Sequence, residues 1–151
     1  MRGLFVSRPP VAGKNTMASV TTAHNPSSVW TVPQGFRPIY SHATELPLGR
    51  RMLFISGQFG VAADGSLPPG FPEQAETAMN NVEALLASAG MTKAHLVKLN
   101  YYLTRPADAP TLADIRRNRW SSAAPPAVTA IVVSSLARPE YLIEIEAIAA
   151  A

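Results

Sequence analysis

The chain contains no cysteine, which removes disulfides, thiolate nucleophiles and cysteine-based zinc sites from consideration. No apolar run approaches the roughly 18 residues that a membrane-spanning helix needs. Its three histidines, His24, His42 and His95, are far apart and lack the spacing of a metal-binding pair. There is no glycine-rich phosphate loop, internal repeat or low-complexity tract, so neither a metal nor a cofactor is expected. Charged residues are also scarce, at 15% against 47% hydrophobic. That balance suits a compact protein with more buried or subunit-facing surface than usual, and 151 residues suit one domain with a real core.

Acid is missing from one region in particular. The net charge of +3 comes from Arg2, Arg8 and Lys14 in residues 1–16; the other ten Lys and Arg residues equal the ten acids. Nucleic-acid binding usually leaves a basic footprint on the folded domain, and residues 17–151 are neutral, which argues against a nuclease. Residues 1–16 are expected to be a disordered or misassigned extension. Their apolar stretch, Gly3 to Val6, is too short for a secretory signal, and Pro9-Pro10 disfavours an amphipathic transit helix. Without a signal or a cysteine, the cytoplasm is the default compartment.

What is present reads as alternating strands and helices. Val29 to Val32 is a possible edge strand. Ile39 to Glu45 and Arg51 to Ser56 are expected to form a hairpin around Pro47 and Gly49. A helix from about Glu73 to Ala89 has Pro72 and acids at its start and Gly90 at its end. Its Ala75, Ala78, Met79, Val82, Leu85, Leu86 and Ala89 form one apolar stripe. Leu96 to Leu103 is a strand with Val97, Leu99, Tyr101 and Leu103 on one side. A weaker helix spans about Pro110 to Trp120, and its Arg116, Arg117 and Arg119 read as solvated cations near the negative end of the dipole. Two strands close the chain, near 124–133 and 141–149. On the last, Ile143, Ile145 and Ala147 share one face, while Leu142, Glu144, Glu146 and Ile148 share the other. Two carboxylates on so apolar a strand fit either a face that meets water or one that lines a subunit cleft, where Glu144 could orient a water. His42, on a predicted strand near Tyr40, is the histidine of most interest.

Taken in order, Ile55-Ser56-Gly57-Gln58, Gln74-Ala75, Asn81-Val82, Val97-Lys98, Tyr102-Leu103-Thr104, Pro125-Pro126-Ala127 and Ile143-Glu144-Ile145-Glu146-Ala147-Ile148-Ala149 resemble the RidA (YjgF) reactive-intermediate deaminase superfamily. The likeness runs from about Asn25 to Ala149. It implies an α+β, chorismate-mutase-like fold, with a six-stranded sheet carrying two helices on one face. It further implies a homotrimer whose sheets make a central barrel, with small-molecule ligands bound in clefts between subunits. The neutral charge of residues 17–151 and the lack of a long apolar run leave no nucleic-acid or membrane partner expected. The superfamily's best-known reaction is hydrolysis of enamines and imines to a carbonyl compound and ammonia. By the match, Glu144 would polarise the water, the Ala130 carbonyl would help position it, and Tyr40, Ser56 and Gly57 would line the cleft.

One position departs from the deaminase pattern. Two residues after the turn proline Pro126, where that branch has an arginine for the substrate carboxylate, this chain has Val128. Losing such a charge-assisted pair costs on the order of 1.5–3 kcal/mol. Arg37, or an arginine from a neighbouring subunit, could substitute. The expected substrate is therefore not a small 2-imino acid but something larger, more apolar or differently anchored. An imine or enamine hydrolase is the leading reading, with a non-catalytic trimer that binds a small metabolite as the alternative and an endoribonuclease well behind.

Overall fold

The structure, a computed structural model, describes residues 21–28 and 31–151. The expectations for residues 1–16, and for Val29 and Trp30 of the possible edge strand, lie outside them. Six strands and two main helices are described: β1 (Thr22–His24), β2 (Ala43–Glu45), β3 (Met52–Phe59), α1 (Phe71–Ser88), β4 (Leu96–Leu103), α2 (Ala109–Trp120), β5 (Ala127–Val132) and β6 (Ile143–Ala150).

The strands do not form one six-stranded sheet. Four make the main sheet in the order β3-β6-β4-β5, while β1 and β2 pair as a separate ribbon. An isolated parallel bridge between Ser41 and Ala127 links the two, supported by the Ser41 hydroxyl donating to the Pro125 carbonyl at 2.6 Å. The expected hairpin is also corrected. β2 pairs antiparallel with β1, and β3 pairs antiparallel with β6. A turn with Gly49 at φ 83° separates β2 from β3 instead of joining a pair. The segment before β2 is largely irregular: Gln34–Phe36 is a short 3-10 turn, and Tyr40 and His42 precede the strand rather than lying on it.

In the main sheet β6 lies between β3 and β4, antiparallel to both, and β5 runs parallel to β4 on the outer edge. Each of the two parallel returns, β3 to β4 and β4 to β5, passes through a helix, as such connections require. Alternation along β4 and β6 then separates the faces. Leu99, Tyr101, Leu103, Ile143, Ile145, Ala147 and Ala149 point at the helices and are buried, whereas Asn100, Tyr102, Glu144, Glu146 and Ile148 point to the open face.

The stripe of α1 packs as its spacing requires, with Ala75, Ala78, Met79, Val82 and Leu86 fully buried. Leu85 stays exposed and Ala89 caps the helix. Gly90 follows at φ 69°, a left-handed conformation that suits glycine after a helix. The buried Gln74, at the start of α1, satisfies three backbone groups. Its Nε2 donates to the carbonyls of Pro68 (2.9 Å) and Glu140 (3.0 Å), and its Oε1 accepts from the Leu142 amide (2.9 Å). This fixes the path of the chain into β6.

α2 docks through Leu112 and Trp120, both buried, and the Trp120 indole donates to Glu83 of α1 at 2.6 Å. Its arginines are not the solvated set expected. Arg119 is bound to Glu76, Glu83 and Asn80 of α1, and Arg117 pairs with Asp114 at the surface. Arg116 is buried. Its guanidinium donates to the Ile39 carbonyl and lies over the Tyr101 ring, 4.7 Å from the centroid.

Candidate functional site

The sequence-predicted residues fall into two groups, at different places on the sheet. The first forms around β3 and β6. Pairing between these strands shifts register between Ile55 and Gln58, so Ser56 and Gly57 sit in an irregularity, with the Ser56 carbonyl accepting from Gln58 Nε2 at 2.8 Å. The Glu144 side chain lies across this spot. A Cβ placed on Gly57 would be 1.6 Å from Glu144 Oε1 and 2.8 Å from its Cγ. Only a glycine leaves room for the carboxylate here. Ser56 is exposed beside it, and Glu144 is half-buried.

Glu144 differs from its neighbour Glu146 in its partners. Glu146 accepts from the Tyr102 hydroxyl at 2.7 Å and from Asn100 Nδ2 at 3.2 Å. Among the described residues, no hydrogen bond reaches the Glu144 carboxylate. Partial burial raises its pKa above the ordinary carboxylate value, and the nearby Glu146 charge raises it further. A carboxyl with a raised pKa and an open coordination sphere suits proton transfer. The bond to Glu146, together with burial, raises the pKa of the Tyr102 phenol, so that hydroxyl remains a proton donor.

The second group gathers at the opposite edge, beside β5. The Tyr40 hydroxyl is hydrogen-bonded to His42 Nδ1 at 3.1 Å, with the rings edge to face and 5.3 Å between centroids. Arg37 donates through Nε to the Val32 carbonyl at 3.3 Å. These three residues line a cavity of about 400 Å³ together with Asn25 and Pro125. Tyr40 also borders a second cavity, of about 250 Å³, whose other walls include Val128 and Ala130. Ala130 is exposed and Val128 half-buried.

One chain does not bring the two groups together. Ala130 pairs with Tyr101, and Tyr101 pairs with Ile145, so the side chains of Val128 and Ala130 project to the helix face. Glu144 pairs with Tyr102 and projects to the open face. β5 and β6 are also separated by β4, a gap of roughly 9–10 Å at the usual strand spacing. No group of three or more His, Asp or Glu among the described residues could hold a metal.

Two features were missed from the sequence. The Tyr102 and Asn100 clamp on Glu146 follows from the pairing of β4 with β6, which local patterning does not specify. The burial of Arg116 beside Tyr101 reverses the solvated reading of that residue, although its spacing of four from both Leu112 and Trp120 already put it on the packed side of α2.

The comparisons with known proteins agree with the fold and the ordered motifs. The family model described as Endoribonuclease L-PSP matches residues 36–151. Protein DfrA of Myxococcus xanthus is 34% identical over 119 residues, covering 78% of this chain and 88% of its own. The 2-iminobutanoate/2-iminopropanoate deaminase of Bos taurus is 36% identical over 101 residues, covering 66% of this chain and 72% of its own. The solved structure of YyfB, a Rid-family protein of Yersinia pestis, superposes with a TM-score of 0.75 at 33% identity, over 86% of this chain and 98% of that one. With the match spanning 36–151 and relatives at this identity, the chain belongs to the Endoribonuclease L-PSP family, the Rid (YjgF) superfamily of its sequence motifs.

Proposed function

We propose that the protein hydrolyses an imine, or an enamine through its imine tautomer, in a cleft between subunits of a homotrimer. The observation that carries this reading is the Glu144 carboxylate, lying over Gly57 without a hydrogen bond and with its pKa raised by burial and by Glu146. Deaminases among the relatives support it. So does the separation of the two residue groups. A surface that puts Glu144 of one subunit opposite Tyr40, Val128 and Ala130 of another would complete a site that one chain leaves divided.

The chemistry asks little of the protein. Water adds to the electrophilic C=N carbon while Glu144 takes a proton from it. That proton passes to nitrogen to give a carbinolamine. The carboxylate then carries the carbinolamine hydroxyl proton to the nitrogen as the C–N bond breaks, and a carbonyl compound and ammonia leave. A positioned base in such a step contributes about 10²–10⁴-fold. Tyr40 and Ser56 supply hydroxyls at the two sides of the cleft, with His42 fixing Tyr40.

The test is ammonia release from imines made in situ by an amino-acid oxidase, across small, branched and aromatic side chains. Glu144→Gln keeps the shape and removes the base. Its turnover should fall at least about a hundredfold with the assembly mass unchanged. Turnover equal to wild type would remove Glu144 from the mechanism. Absence of turnover on every imine, with saturable ligand stabilisation, would instead favour a metabolite-binding trimer.

A further inference from the structure

A buried charge normally sits against an opposite one, because an unpaired ion in the interior is costly. Arg116 is only 6% exposed, yet no carboxylate pairs with it among the described residues. The two other arginines of α2 with acidic neighbours both use them. The protein supplies Arg116 with one carbonyl acceptor, that of Ile39, and the face of Tyr101, leaving most of its five N–H groups without a protein acceptor. Burial presses its pKa downward, although a guanidinium remains charged.

The surroundings of Arg116 are specific. It lines the cavity of about 250 Å³ whose apolar walls include Val32, Phe36, Val128 and Ala130, with Tyr40 at its border. Tyr101, over which the guanidinium lies, is the direct strand partner of Ala130. The cation is therefore beside the stretch of β5 where Val128 leaves no charge. A cavity with one fixed cation, apolar walls and room for a ring or branched chain fits a ligand with the complementary layout.

We propose that Arg116 is the anion-binding residue of this cavity, and that the ligand is a monocarboxylate with an aromatic or branched apolar body. A single guanidinium matches one planar carboxylate through paired N–H donors, and the apolar walls leave nothing to satisfy the additional charge of a phosphate. This rests on the cleft reading above and narrows it. The carboxylate anchor comes from α2 rather than from the position of Val128, and the space vacated there takes the ligand's apolar part.

The probes are benzoate and its neutral counterpart benzamide, titrated calorimetrically into the full chain. Wild type should bind benzoate at least about tenfold more tightly than benzamide. Arg116→Gln should remove that preference while retaining benzamide binding, which also reports that the cavity has survived. Val128→Phe, which fills the cavity without altering the Arg116 contacts, should abolish binding of both. Equal affinities in wild type, or benzoate binding undiminished in either variant, would overturn the proposal. Glu144→Gln separates the two readings, since benzoate binding should persist in it. Benzoate binding without turnover of any imine sinks the hydrolase and spares the anion site. Glu144-dependent turnover without a preference for benzoate does the reverse.

Discussion

The two faces of β6 are made from adjacent residues of one strand, yet they do opposite work. Ile143, Ile145, Ala147 and Ala149 face α1 and are essentially inaccessible. Glu144, Glu146 and Ile148, one step away in each case, share the open face with Phe54, which is 69% exposed. The helix face is filled by apolar side chains, with the Tyr101 hydroxyl buried there without a hydrogen bond. The open face holds a carboxyl that is half-buried and unbonded, an arrangement with no value to stability. Stability and chemistry are thus divided by the pleat, and changes on one face should leave the other largely untouched.

The largest expected departure is on the filled face. Ile145→Ala removes a fully buried side chain and should cost about 2–5 kcal/mol, read as a lowered denaturation midpoint with an unchanged m-value. If the folded fraction keeps its normal rate per molecule, the division holds. Gly57→Ala probes the other side. Its methyl group needs the space of the Glu144 carboxylate, whose end is free to swing away, so stability should change by about 1 kcal/mol or less. Turnover should nevertheless fall by about tenfold or more as the base is displaced. A Gly57→Ala protein with normal kinetics would show that Glu144 acts from elsewhere.

The smallest effect is a pH dependence. The folded state raises the pKa of Glu144, so it binds that proton more tightly than the unfolded chain does. Glu144 therefore destabilises the fold progressively as pH rises from its ordinary carboxylate range through its raised value. Glu144→Gln should be slightly more stable than wild type near neutral pH, with the two converging in acid, as thermal scans across pH would show. The same shift should place the acidic limb of the rate profile, where turnover rises as Glu144 loses its proton, above the ordinary carboxylate range.

Sequence patterning located α1, β4 and β6 to within about two residues because their periodicity expresses one local fact, namely which side meets the core. Leu96–Leu103 matches the predicted strand in full, and the faces of β6 were assigned correctly as far as Ile148. The ribbon was misread for a different reason. Proximity along the chain favoured pairing residues 39–45 with 51–56, but β3 finds a better-matched apolar partner in β6, nearly a hundred residues away. Arg116 was misread for a related reason. α2 has only a weak apolar stripe, so its buried side is set by α1 and the sheet rather than by its own spacing. Glu144 stood out as one of two carboxylates on an apolar strand, whereas its closeness to Gly57 depends on a register shift that no local motif encodes.

Gln74 gives the fold a built-in order of events. One side-chain amide at the first turn of α1 accepts the Leu142 amide proton while donating to the carbonyls of Pro68 and Glu140, so the loops on either side of a long stretch of chain are tied at one point. The bond to Pro68 is local, but those to Glu140 and Leu142 cannot form until α1 has docked and the end of the chain has returned to the sheet. Leu142 N–H is consequently shielded by a helix side chain and not by the strand ladder alone. Opening the sheet at that point and lifting the helix become a single cooperative motion, which ties the rigidity of the strand carrying Glu144 to the seating of α1.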